Sequence, residues 1–153
     1  PQITYDNPSN MYVAGFIGTP QMNFLHAVIE EKGNDVWIDI SGTKIKFSEK
    51  RAKSILGKGY NGKAVILGIR PEHFRDEQVY LDQMQDTTIE VKIDVVEMMG
   101  PEALLYFTFA KSNIIARVSP STKARPGSTV KIAIDTVRIH IFDKESEKTI
   151  FAE

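Results

Sequence analysis

Two kinds of apolar spacing divide the chain. Over residues 7–18 the punctuation is helical, with Asn7 as a cap, Pro8 in the first turn and Gly18 where a left-handed ending sits. The apolar residues of this short predicted helix, Met11, Tyr12, Val13, Phe16 and Ile17, cover most of its circumference, so it is expected to pack on both sides. From residue 23 onward the pattern changes to short alternating runs separated by Gly, Asn, Asp, Ser and Pro, as in an all-β barrel or sandwich. Residues 24–31 and 35–40 flank Gly33-Asn34 and read as a hairpin, with Val36, Ile38 and Ile40 on one face and Trp37 and Asp39 on the other.

Ser41-Gly42 then turns the chain into a run from Thr43 to Phe47. Ser48 caps one short predicted helix between strands, which Gly57 ends. Lys63 to Ile69 is nearly all apolar, as expected of a central strand covered on both faces. Ile89, Val91, Ile93 and Val95 alternate with charged residues, and Ala103, Leu105, Phe107 and Phe109 alternate with Leu104, Tyr106 and Thr108. Both runs predict half-buried strands. Ile114 to Val118, Val130 to Ile134 and Val137 to Phe142 complete a set of about eight or nine strands, enough for one elaborated barrel or two small interleaved ones. A polar stretch at 75–88 marks a weak boundary.

Composition narrows the chemistry. The 153 residues are 42% hydrophobic and 25% charged, the range of a folded domain. With no Cys, disulfides, thiolate nucleophiles and Cys-based zinc sites are excluded. Lys+Arg 19 against Asp+Glu 20 gives a net charge of -1, without the basic excess of a protein that coats nucleic acid. No stretch reaches the roughly 18–20 apolar residues of a membrane span. The chain begins at Pro1 within sequence that reads as structured, and is expected to be a piece of something larger.

The segment from Gly57 to Ala64 fits the spacing of a phosphate-binding loop, G-x-x-x-x-G-K, but places Ala64 where Ser or Thr would hold magnesium. Its context is also inverted, because it follows a predicted helix and enters a strand, so it reads as a turn. His26, His73 and His140 lie far apart with no paired-ligand spacing, and no nucleophile turn exists. The expectation is no catalytic residue and no metal. Charge is segregated: residues 44–63 hold Lys44, Lys46, Lys50, Arg51, Lys53, Lys58 and Lys63 against Glu49 alone, while 72–102 hold nine acids against Arg75 and Lys92. That pattern suits a solvated face or an acid-to-base subunit contact better than a nucleic-acid groove. At Gly68-Ile69-Arg70-Pro71-Glu72-His73 a buried strand meets a proline, and charged side chains crowd the exit. Arg70, Glu72 and His73 are therefore expected at the rim of a barrel.

These residues resemble a known family, the carboxy-terminal regulatory region of the ATP-binding subunits of maltose and multiple-sugar type ABC importers. The likeness is carried by Pro1 to Asn10 with Val13 to Pro20 and Met22-Asn23, by the G-I-R-P-E-H string Gly68 to His73, by Val96 to Glu102, and by Asp135 with His140-Ile141-Phe142-Asp143. It runs along essentially the whole chain. Departures are Ser146-Glu147, where the family usually turns on a glycine, and Ile3-Thr4 near the start.

The resemblance implies a mainly β, OB-like (TOBE) barrel, elaborated or doubled, covering 23–153, with 1–22 as the tail of a nucleotide-binding domain. Tyr12, Val13, Phe16 and Ile17 would form the docking helix. It implies a homodimer that tethers two ATPase subunits, contacts to its own nucleotide-binding domain and to membrane subunits, and a docking surface for a regulatory protein. It also implies a peripheral location on the cytoplasmic side of the membrane. No cofactor is expected in this segment, with ATP and Mg belonging to the domain before it. The alternatives are a small-ligand or oxyanion-binding barrel, like related transport-associated domains that take molybdate or tungstate, and, less favoured, a nucleic-acid-binding OB module.

Overall fold

A computed structural model describes residues 10–11 and 20–150. In chain order the elements are β1 (Asn23–Lys32), β2 (Asp35–Ile40), β3 (Thr43–Lys46), α1 (Glu49–Ala52), β4 (Ala64–Ile69), β5 (Phe74–Arg75), α2 (Gln78–Gln83), β6 (Thr88–Met98), β7 (Ala103–Phe109), β8 (Ser112–Val118), β9 (Thr129–Ile134) and β10 (His140–Asp143). Single 3₁₀ turns occupy Pro71–His73 and Gln85–Thr87. The strands form two five-stranded sheets, in the orders β10-β4-β1-β2-β3 and β5-β9-β6-β7-β8.

The second sheet is a continuous stretch of sequence inserted between β4 and β10 of the first. The chain therefore crosses between sheets twice, at 70–73 going out and at 135–139 coming back. The outward crossing falls just before the polar stretch 75–88, which holds α2 and the second 3₁₀ turn, so there are two short helices between strands rather than one. Both sheets contribute to one hydrophobic core, from Leu25, Ile38 and Leu67 on the first to Ile93, Leu105 and Ile132 on the second.

The predicted hairpin is present, with Val36, Ile38 and Ile40 buried and Trp37 and Asp39 half-buried. The central strand β4 lies between β10 and β1, and Val65 to Ile69 are buried throughout. The Gly57 to Ala64 segment runs from α1 into β4 with Gly57, Gly59 and Gly62 all at positive φ, a glycine-dependent turn.

Two expectations fail locally. Val95 points outward, 51% exposed, because the register of β6 against β7 shifts between Ile93 and Val95; a bulge of one residue reverses the alternation, and Val96 packs against the core instead. Val137 lies in the return crossing rather than a strand and is 57% exposed. Of the predicted helix 7–18, Asn10 and Met11 are described, and the Met11 N–H donates to the Glu147 carbonyl at 3.0 Å. Tyr12, Val13, Phe16 and Ile17 lie outside the described residues.

Candidate functional site at the seam between the sheets

The two crossings lie side by side. The Asp135 N–H donates to the His73 carbonyl at 3.0 Å, and Phe74 on β5 pairs with Ile134 on β9 directly beside them. Pro71 sits in the 3₁₀ turn because its fixed φ suits a first turn and it cannot extend β4. Arg70, which starts this crossing, is buried to 1% exposure rather than placed on a solvated rim. Asp135 is also buried; its carboxylate lies 3.6 Å from Arg75 and 3.8 Å from Arg138, and it accepts a hydrogen bond from the Val137 N–H.

Burial pushes the His73 imidazole below its ordinary range, against the upward pull of Glu72 and Asp135. Its Nδ1 is enclosed without a hydrogen-bond partner, so the neutral ring is the form this environment accepts.

Three of the sequence strings converge here. Gly68 lies opposite His140 in the β4–β10 pair, and a Cβ at Gly68 would run into Met22 Sδ and come within 2.9 Å of Phe142 Cε2. The glycine is therefore favoured by close packing against Met22 and against the buried phenylalanine of the last string. Phe142 also meets Phe24 edge-on and stacks near His140. The third string joins through Arg117 on β8, whose guanidinium lies 3.2 Å from Glu102 and 3.7 Å from Glu72.

Asp143 is the last residue of β10, at the start of the turn that follows it. Backbone donation from Ser146, the Lys63 ammonium at 3.0 Å and the Glu145 N–H hold its carboxyl down to about 2. Lys63 is raised in turn by Asp143. The turn closes without glycine by placing Glu147 at φ 61.

Two polar side chains, Asn23 and Arg51, tie the seam to the strands on either side. The Asn23 amide donates to the Ile69 and Ile115 carbonyls, at 3.0 and 2.9 Å, and accepts from the Ile115 N–H at 2.9 Å, so one buried side chain ties β4 to the edge strand β8. Its short amide beside a strand start carries no distinctive pattern. Arg51 on α1 donates to the carbonyls of Thr136, Val137 and Ile139, clamping the return crossing from the first sheet.

The basic run 44–63 is largely engaged in this way: Lys44 pairs with Glu30, Lys46 with Asp35 and Glu49, and Lys63 with Asp143. Among the described residues no cluster of three or more His, Cys, Asp or Glu is placed to hold a metal. The seam is a junction of ion pairs and backbone hydrogen bonds.

Two curled sheets sharing one core, one inserted into the other, define a doubled OB-like barrel of the transport-associated type. Residues 18–74 match the MalK OB fold domain and residues 67–142 the TOBE domain. The chain belongs to the family these two domains define, that of the sugar ABC transporter ATP-binding proteins. The domain matches overlap at 67–74, where the chain crosses between sheets.

The oligosaccharides import ATP-binding protein MsmX of Bacillus subtilis is 35% identical over 150 residues, which cover 98% of this chain and 40% of that protein. The trehalose/maltose import ATP-binding protein MalK of Thermococcus litoralis is 32% identical over 152 residues, covering 99% of this chain and 40% of that protein. The chain thus spans about two-fifths of the length of these curated relatives. A molybdate-bound structure of the cytoplasmic molybdate-binding protein ModG superposes with a TM-score of 0.55 at 13% identity, covering 78% of this chain and 94% of that one; it shares the fold. No helix among the described residues is long and apolar enough to cross a membrane.

Proposed function

We propose that this chain is the regulatory and dimerisation region of the ATP-binding subunit of a sugar ABC importer, with 23–153 as the regulatory unit and 1–22 as the tail of a nucleotide-binding domain. It holds two ATPase subunits together while they open and close. The parent protein binds ATP and Mg in the preceding domain, works at the cytoplasmic side of the membrane against the transporter's membrane subunits, and accepts a regulatory protein on this region. No catalytic step is assigned to the residues of this chain. A persistent link raises the effective concentration of each ATPase half for the other, so ATP-driven closure becomes an intramolecular event. A regulator that bridges this region and the ATPase domain favours the open state by binding it more tightly. Residues 7–18 are the segment assigned to dock on the nucleotide-binding domain.

The observation that supports self-association is where the exposed apolar side chains gather. Beyond Lys92, β6 leaves its partner β9 and pairs only with β7, so the end of this hairpin projects. Val95, Met98 and Met99 lie there, 51%, 59% and 48% exposed. Methionines adapt their shape to an apolar partner, and such a cluster is uncommon on a surface that faces only water.

Sedimentation of this chain over a concentration series tests the reading. A dimer with a dissociation constant of about 1 µM or tighter, weakened at least about tenfold by Met98→Glu with Met99→Glu, supports it. A strict monomer up to about 100 µM overturns intrinsic tethering.

A further inference from the structure

Gln21, Phe24, Asp94, Tyr106, Ser112 and Asn113 line a cleft of about 740 Å³ where the root of β1 lies against the outer side of the second sheet. That volume is within the roughly 300–1,000 Å³ of small-molecule sites. We propose that this cleft is a binding site for a neutral, hydroxyl-rich ligand of the oligosaccharide class, a role separate from the tethering described above.

Three features carry the inference. First, among the described residues the lining contains no Lys or Arg and one charged residue, Asp94, so a phosphate, sulfate, molybdate or nucleotide would meet repulsion without compensation. Second, the polar groups complement hydroxyls. A sugar hydroxyl both donates and accepts; the Asp94 carboxylate accepts only, while the Asn113 and Gln21 amides and the Ser112 hydroxyl do both. The rings of Phe24 and Tyr106 supply apolar surface for the C–H faces of a pyranose, and Tyr106 is fixed by donating its hydroxyl to Glu97 at 2.8 Å.

Third, the β6 bulge that turns Val95 outward also leaves Asp94 without a cross-strand partner, between Ile93, which pairs with Phe107, and Val95, which pairs with Tyr106. Bulges commonly re-aim a side chain at a functional position. Here the bulged residue is the carboxylate of the cleft, and no ion pair engages it among the described residues. A second cleft, of about 500 Å³ beside α2, mixes Lys46 with Glu49, Asp82, Asp86 and Asp135 and lacks this uncharged character.

The test is an amide-resolved NMR titration of this chain with maltotriose as the probe, with sodium sulfate and tetramethylammonium chloride as anionic and cationic controls. The expected result is saturable shifts at residues 94, 106 and 112–115 with a dissociation constant of about 0.1–10 mM, and cleft amides unmoved by either control. Asp94→Ala and Asn113→Ala, both at exposed positions, should retain the fold by their amide spectra and weaken binding at least about fivefold. The proposal is overturned by no saturation up to about 100 mM maltotriose, by an unchanged affinity in both variants, or by saturation with either control ion. The titration is run at one fixed protein concentration, so the oligomeric state is common to every point and only ligand-dependent shifts are read; failure here leaves the tethering test standing, and the reverse.

Discussion

The two sheets are built to different plans. The first is assembled from distant pieces, β1 to β4 and then β10, and closes over itself: Phe142, Met22 and Ile66 form a small second core on its outer side, with Phe24 against it. The second is one uninterrupted stretch, 74–134, whose outer side stays open, with a projecting hairpin and a polar cleft. The closed sheet carries the residues whose packing permits little change, such as Gly68 beneath Phe142. The open sheet carries the surfaces available to partners and ligands. The seam makes them one object, since neither crossing is satisfied without the other.

The strongest way to break this picture is to remove a large side chain from each sheet and ask whether the damage stays local. Phe142→Ala and Phe107→Ala each delete a buried ring and should cost about 3–5 kcal/mol. Phe107 belongs to the core that spans both sheets, and Phe142 to the small core laid over β4, the strand that also carries Val65, Leu67 and Ile69 of the shared core; hydrogen exchange should therefore show protection falling in both sheets for either variant. A Phe142→Ala protein that lost protection only in β1, β4 and β10 would show that the sheets are separate cooperative units.

A smaller effect of opposite sign sharpens the comparison at one turn in each region. Glu147, after β10, sits at φ 61; Ala110 and Lys111, between β7 and β8, sit at φ 51 and 65, the left-handed region that L side chains resist. Glu147→Gly and Lys111→Gly should each stabilise the protein by about 0.5–1 kcal/mol in chemical denaturation, the relief of strain exceeding the added flexibility of the unfolded chain. Destabilisation by either would mean that side-chain contacts at that turn outweigh its backbone strain.

The smallest expected effect is at the seam. Burial lowers the His73 pKa in the folded state below the 6.5 of an unperturbed histidine. The unfolded chain therefore binds the proton more readily, and the stability from neutral His73 is complete above about pH 6.5 and lost as pH falls through the folded value. Melting temperature should decline between about pH 7 and pH 5, and His73→Gln should flatten that decline. An identical slope in the variant would place the acid sensitivity elsewhere.

Much of the fold was legible because alternation with a period of two is a direct imprint of half-buried strands. The β1–β2 hairpin and the all-buried β4 follow from it. The pattern misleads where a single backbone residue changes phase, as at the β6 bulge. It is silent where a turn lacks the glycine its conformation favours, as at Ala110-Lys111. Helix α2 shows in the sequence only as part of a polar stretch, because six residues without a buried face carry no amphipathic signal.

The strings around Gly68, Glu102 and Phe142 were visible as strings, and their resemblance to a transporter family was readable from one dimension. What joins them was not. Arg117 links Glu72 to Glu102, Arg51 caps the return crossing and Asn23 ties β4 to β8 through polar contacts between residues far apart in sequence. The sequence by itself determined the strand-rich class, the central strand and the absence of cysteine chemistry, because these follow from local pattern and composition. Only the tertiary structure decided that the second sheet lies nested within the first, that Gly68 serves close packing rather than a turn, and that Asp94 faces a cleft. Those depend on which distant atoms come within van der Waals or hydrogen-bond reach, and no local pattern encodes that distance.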